Sequence, residues 1–210
     1  GKTYLPRKFK IAIAIPPSND VDIYAHCLSF IAIIEDEKII GYNVSVGGGM
    51  GMTHGAEETF PRLADIIGFI TPDQAVDVSE KVVLVQRDFG NREDRKQSRL
   101  KYTVEKMGVD GFTAKLEEYL GYKLQPAREF EFTTNGDNFG WSENSNGNAN
   151  LNLFIPGGRV IDTADYPMKK GLSEIAKMHQ GEFRLTANQN LVISNISPAK
   201  RKEMQPLLEK

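Results

Sequence analysis

The sequence predicts an α+β fold, a mixed sheet with helices followed by a smaller α+β unit, on three observations. Two runs rich in β-branched residues, 30–34 and 39–46, flank the polar link Glu35-Asp36-Glu37-Lys38 and read as a hairpin. Thr71-Pro72-Asp73-Gln74 combines an N-cap threonine, a proline at the first helical position and a capping-box glutamine, which together start a helix. Between residues 139 and 150 the composition shifts to Asn, Gly and Ser, which suits a loop near a domain boundary.

The first element is a strand ending at Ile15. Successive strand side chains point to opposite faces, so Lys8, Lys10, Ala12 and Ala14 share one side and Phe9, Ile11, Ile13 and Ile15 the other. The apolar set is expected to pack inward. The two ammonium groups stand beside two of the smallest side chains, and two readings follow: a cradle for an anion, or an edge strand whose lysines discourage pairing with another chain. A Pro16-Pro17-Ser18-Asn19-Asp20 loop leads to the hairpin. Gly47, Gly48 and Gly49 follow it without the spacing of a nucleotide-binding loop. They are either a plain turn or a place where something approaches closer than a Cβ permits.

Helices are expected over 57–67 and from Thr71, the second turning Ala75, Val78, Val82 and Val85 inward at helical spacing. The charged run from Arg92 reads as a helix on which Arg92, Arg95, Lys96 and Arg99 occupy about a third of the circumference, with Lys101 on the far side. Four cations on one stripe either capture carboxylate or phosphate or form a solvated face with Glu93 and Asp94 as local partners. Asp110 is expected to cap a helix through Leu120, and the first domain to close near Gln125-Pro126. The division is 1–137 and 138–210. In the second part we expect strands at 151–155 and 159–161, a helix over 169–180, strands at 183–187 and 191–194, and a final helix over 198–210.

Composition narrows the function. A net charge of −2 across 210 residues provides no global basic field, so any anion site is local and nucleic acid is not an expected partner. No apolar run approaches the ~20 residues of a membrane helix, and the opening residues lack a secretory core, so a cytoplasmic location is expected. The single cysteine, Cys27, cannot by itself hold a zinc or iron-sulfur site. His26, His54 and His179 lack metal-ligand spacing, so no metal site is expected. Trp141 and Phe139 read as packing anchors. The chain has no initiator methionine and stops within a helical pattern, so we expect a piece of a longer polypeptide.

Five further stretches stand out: Leu5-Pro6-Arg7-Lys8-Phe9-Lys10, Val46-Gly47-Gly48-Gly49, Gln86-Arg87-Asp88-Phe89-Gly90-Asn91-Arg92 with Asp94-Arg95-Lys96, Lys101-Tyr102, and Phe183-Arg184-Leu185-Thr186-Ala187-Asn188-Gln189-Asn190. Together they resemble the siroheme-dependent sulfite and nitrite reductase family, in particular the hemoprotein branch of assimilatory sulfite reductases. The resemblance implies a nitrite/sulfite reductase hemoprotein-like domain and a ferredoxin-like half-domain. It implies a parent enzyme that reduces sulfite to sulfide with six electrons at a siroheme coupled to a 4Fe-4S cluster, fed by an NADPH flavoprotein or a ferredoxin. By the same resemblance Lys8 and Lys10 reach the substrate anion. Arg7, Arg92, Arg95, Lys96, Arg99 and Lys101 match the region that holds the siroheme carboxylates, and Gly47, Gly48 and Gly49 lie near the macrocycle. Arg184, Thr186 and Gln189 match the second copy of a siroheme-contacting motif, with a vestigial role here.

The departure from the family is equally specific. Its cluster cysteines and its further substrate-binding arginines lie in parts of the polypeptide that this chain does not contain. The isolated chain is therefore expected to be inactive, to depend on the remainder of its own polypeptide, and to hold no cofactor. A siroheme nitrite reductase is the neighbouring alternative. A noncatalytic anion- or nucleic-acid-binding module is the distant one, and it predicts salt-sensitive binding.

Overall fold

A computed structural model describes residues 3–209. The first unit, to residue 135, carries β1 (Ile11–Ala14), β2 (Ser18–Asn19), β3 (Leu28–Glu35), β4 (Lys38–Val46) and β5 (Asp65–Ile70), then α1 (Ala75–Phe89), α2 (Leu100–Met107) and α3 (Val109–Leu120), and ends on β6 (Thr134–Asn135). Its main sheet has the order β1-β3-β4-β5, with β1 parallel to β3 and the other pairs antiparallel. The β3–β4 hairpin closes through Asp36 and Glu37, both at positive φ (48° and 61°), the backbone pair whose twist matches that of the strands.

One face of the sheet packs against the three helices. Leu28, Phe30, Val44, Val46 and Ile70 meet Val78, Val82, Val85, Leu100, Val104, Phe112 and Leu116 in the main core. The Thr71–Gln74 capping box forms as expected and starts a 3₁₀ turn that leads into α1, where Val78, Val82 and Val85 are fully buried. The other face carries a smaller cluster of Ala14, Ile23 and Ile31 with Tyr24, Phe130 and Phe132.

Five expectations for this unit fail. Strand β1 begins at Ile11, so Lys8 and Lys10 precede it. Its inward face is the alanine face: Ala14 is buried, whereas Ile11, Ile13 and Ile15 are 50%, 55% and 55% exposed. Phe9 does pack on the helix-side core, but the isoleucines sit on the edge strand where these helices leave them uncovered. Residues 57–64 form no helix; Pro61 interrupts them, and the β-branched 65–70 segment pairs with β4 instead. The run from Arg92 is also not one helix. It is a bend, a 3₁₀ turn over Arg95–Gln97, and a separate helix that starts after Arg99. Gly108, not Asp110, stands at the N-cap of α3, with Asp110 in its first turn.

The second unit, from residue 136, contains β7 (Gly140–Glu143), β8 (Ala149–Leu153), α4 (Met168–Met178), β9 (Glu182–Leu185), β10 (Leu191–Ile196) and α5 (Pro198–Leu208). Its antiparallel sheet has the order β7-β8-β10-β9. Leu151, Ile175, Ile193, Ile196 and Met204 form its core, with Trp141 packed against it. The stretch expected as loop between 139 and 150 is largely a hairpin, its polar strands cross-linked by reciprocal Asn144–Asn150 amide hydrogen bonds. Residues 159–161 form no strand; a turn at Pro156–Gly158 leads them away from the sheet.

Candidate functional site

Arg7, Arg95, Lys96 and Arg99 line one cavity of about 170 Å³ together with Gly51, Met52, Thr53, Thr59 and Tyr102. Arg7 comes from the segment before β1. Arg95 and Lys96 come from the 3₁₀ turn, which is capped where the Lys96 amide donates to Asp94 Oδ1 at 2.8 Å. Arg99 stands at the N-cap of α2. The facing loop is folded on itself: the Thr53 amide donates to Thr59 Oγ1, whose hydroxyl donates to the Ala56 carbonyl, both at 2.8 Å.

Charge in this cavity is poorly neutralised. Lys96 pairs with Glu58 at 3.1 Å, both side chains half-exposed, a geometry that contributes little in water. A hydrogen bond from its own backbone, and then Lys96, hold the Glu58 carboxyl below the usual range. Arg99 Nη1 donates to the Gly51 carbonyl at 3.2 Å. Among the described residues, Arg7 and Arg95 have no carboxylate partner. A cleft of cations with so little counter-charge suits an anion, and guanidinium forks suit carboxylate or phosphate.

The other residues singled out in the sequence lie differently. Lys8 and Lys10 are exposed and do not line this cavity. Burial raises the pKa of the Cys27 thiol, against the lowering influence of Lys10 and Arg99. Arg92 turns away. Its Nη2 donates to the Tyr4 carbonyl at 2.6 Å and the Arg87 carbonyl at 2.9 Å, with the guanidinium 4.7 Å from the Tyr4 ring centroid.

Gly47, Gly48 and Gly49 are buried against their own chain. A Cβ on Gly48 would lie 2.2 Å from the Tyr24 carbonyl oxygen, and Gly47 has φ +84°. Gly49 pairs with Arg62 through two backbone hydrogen bonds. Arg62 also reaches the Gly47 carbonyl at 3.2 Å while pairing with Glu105 and Asp65. Internal packing and backbone conformation are thus enough to require Gly47 and Gly48, whereas a Cβ on Gly49 would meet the Lys101 side chain at 3.3 Å.

Lys101 is fully buried on α2. Its ammonium donates to the carbonyls of Gly49 and Gly51, each at 3.0 Å, and to that of Phe60. It stands 4.8 Å from the Tyr102 ring centroid. Desolvation, with the Arg99 charge second, lowers its pKa.

In the second unit, Thr186 and Asn190 hold the Asp137 carboxylate at 2.6 and 2.7 Å, while Arg184 pairs with Glu182. Burial opposes the Asp137 charge, but hydrogen bonds from Thr186, Asn190 and Asn188 outweigh it and lower its pKa. Gln189 has φ +66° in the same turn. A larger cavity of about 550 Å³ in this unit is lined mainly by apolar side chains such as Trp141, Leu151, Leu153 and Ile175. It gathers no set of like charges.

Thr53, Thr59 and Gly51 carry no pattern that marks them in the sequence, because a loop has no period and their roles arise from contact with a distant segment. Arg62 is equally silent. Tyr102 was visible only as the neighbour of Lys101.

Residues 1–124 match the profile of the nitrite and sulphite reductase 4Fe-4S domain, and residues 143–210 that of the nitrite/sulfite reductase ferredoxin-like half domain. The sulfite reductase (NADPH) hemoprotein beta-components of Anoxybacillus flavithermus and Geobacillus thermodenitrificans are 57% and 54% identical over 209 and 210 residues. Each alignment covers 100% of this chain and 37% of the relative, so the chain spans little more than a third of their length. A solved structure of the Mycobacterium tuberculosis NirA protein superposes with a TM-score of 0.81 at 27% identity, covering 98% of this chain and 36% of that one.

Proposed function

Because this chain belongs to the nitrite and sulphite reductase family, we propose that it forms one wall of a site where sulfite is reduced to sulfide, as part of a longer polypeptide. The carrying observation is that Arg7 meets Arg95, Lys96 and Arg99 at one cavity. In this reading these four hold carboxylates of siroheme. The fit is partial and specific: about 170 Å³ accommodates carboxylate arms, not a whole tetrapyrrole, and the exposed Met52 in its lining offers apolar surface to a flat ring. Siroheme, when bound, supplies the iron to which the anion binds and through which electrons arrive.

Lys8 and Lys10 are proposed to address the sulfite oxygens. Ammonium groups held at an anion by the closed site of the longer polypeptide stabilise its charge better than mobile water does. The cluster fits this chain poorly, since its only cysteine is buried; we place its thiolates elsewhere in the longer polypeptide. The names of the relatives support NADPH as the electron source and sulfite as the substrate, with nitrite the alternative. A cytoplasmic location is part of the proposal; no helix among the described residues is long and apolar enough to cross a membrane.

The test is Lys8→Ala and Lys10→Ala in the protein that carries these 210 residues. Sulfite turnover is expected to fall by about 100-fold or more, as on removing a preorganised charge, while tetrapyrrole absorption persists. Unchanged turnover removes the substrate role, and a higher kcat/KM for nitrite than for sulfite selects the alternative substrate.

A further inference from the structure

We propose that Lys101 is a positioning residue for the cation-lined cavity and makes no contact with the ligand it holds. This rests on the reading of that cavity as an anion site, and it departs from the carboxylate-binding role that family resemblance gives Lys101. A lysine ammonium has three donors and no acceptor. Here all three are engaged, by the carbonyls of Gly49, Gly51 and Phe60. The side chain has no exposed surface, and the rings of Tyr102 and Phe60 stand 4.8 and 5.8 Å from its nitrogen. No donor remains for a carboxylate.

The clasp has a consequence at the cavity wall. Gly49, Gly51 and Phe60 bracket the loop that contributes Gly51, Met52, Thr53 and Thr59 to the cavity. One ammonium therefore ties both ends of that loop to α2. The Gly51 carbonyl also accepts from Arg99 Nη1 at 3.2 Å, so Lys101 and Arg99 are linked through a single oxygen. Gly51 fits closely against that guanidinium: a Cβ there would lie 2.7 Å from Nη1. Lys101 thus sets the loop, and the loop carbonyl sets the direction in which Arg99 presents its free N–H groups. A buried ammonium held by carbonyl dipoles is costly to desolvate, and removing it takes one hydrogen bond from each of three carbonyls, leaving that of Gly49 with the Arg62 amide and that of Gly51 with Arg99.

The test uses cofactor-free protein that carries these 210 residues, with uroporphyrin, a polycarboxylate tetrapyrrole, as the probe. Hydrogen exchange over residues 49–60 is read first. Lys101→Met is expected to speed it, and Arg99→Met to leave most of it unchanged. Binding of the probe is then titrated against salt. A group that meets an anionic ligand contributes to the slope of log K on log salt, and one that only positions does not. Lys101→Met is therefore expected to weaken binding by about tenfold, the scale of one charge-assisted hydrogen bond, with the slope unchanged, whereas Arg99→Met lowers the slope. Loss of slope in Lys101→Met equal to that in Arg99→Met overturns the proposal, as does unaltered exchange over 49–60.

Gly51→Ala supplies a second variant should Lys101→Met fold poorly. It keeps every charge yet crowds Arg99, and is expected to lower affinity with a loss of slope no larger than that of Arg99→Met; wild-type affinity in this variant overturns the link. Failure of the wild-type protein to bind uroporphyrin would count against the anion-site reading itself, while the exchange experiment still decides whether the clasp exists.

Discussion

Lys101 and Arg99, two residues apart, donate to the same carbonyl oxygen, that of Gly51, at 3.0 and 3.2 Å. One of these cations is buried and fully engaged; the other lines the cavity. Cations that look alike in the charged run thus divide into those that build the wall and those that line it.

Arg92 belongs to the builders. Its guanidinium fastens the Tyr4 carbonyl and ring to the C-terminal end of α1, where Gly90 leaves room for Pro6. Arg92→Ala is expected to cost about 1–3 kcal/mol, the scale of charge-assisted hydrogen bonds, and to speed amide exchange over residues 4–7. Unaltered exchange there would show that the opening segment is held by other contacts.

Gly48 is expected to tolerate no side chain. The atoms a Cβ would strike are the Tyr24 and His26 carbonyl oxygens, at 2.2 and 2.6 Å, and backbone cannot rotate away as a side chain can. Gly48→Ala should destabilise the first unit by about 2 kcal/mol or more in urea unfolding. A loss below about 0.5 kcal/mol would mean that the loop yields.

The edge strand gives a paired prediction. Ile13 is 55% exposed and Ala14 is 1% exposed. Ile13→Thr should therefore change the stability of this chain by no more than about 0.5 kcal/mol, whereas Ala14→Leu should cost about 1–3 kcal/mol by overpacking. Thermal unfolding of both variants decides, and the reverse order would restore the inward isoleucine face read from alternation.

Asp137 predicts an acid limb for the second unit. Its carboxyl pKa is lowered in the fold, because the hydrogen bonds from Thr186, Asn190 and Asn188 outweigh burial. The folded state therefore favours the charged form. The stabilisation is fully present above the ordinary aspartate pKa of about 3.9 and is lost as pH falls through the lower folded value. Asp137→Asn should flatten the stability of this unit below about pH 4. An acid limb identical to wild type would assign that pH dependence to other carboxylates.

Legibility in the sequence followed the range of the interactions. The β3–β4 hairpin, the start of α1 and the inward valines were readable because their signals lie within a few residues: a polar link between β-branched runs, a Thr-Pro-Asp-Gln start, a 3.6-residue period. The 57–67 helix failed because apolar spacing there is also compatible with the strand that β4 templates. The Arg92–Arg99 stripe failed as geometry, since a bend and a short turn replace the helix, yet Arg95, Lys96 and Arg99 still meet, brought together by the fold and not by the wheel. Arg92 and Lys101 could not be separated from them by composition, because the carbonyls that engage them lie at Tyr4, Gly49, Gly51 and Phe60.

By itself the sequence determined the α+β class, the family motifs, and the supply of cations around Arg7 and Arg95 to Arg99, because propensity, capping and residue chemistry act locally and survive without a partner. Tertiary structure alone decided which cations share a cavity, that the edge strand turns its alanines inward, and that Lys101 is consumed by backbone carbonyls. Those outcomes depend on which distant groups satisfy a buried charge or cover a face, and desolvation is felt only once the chain has folded around them.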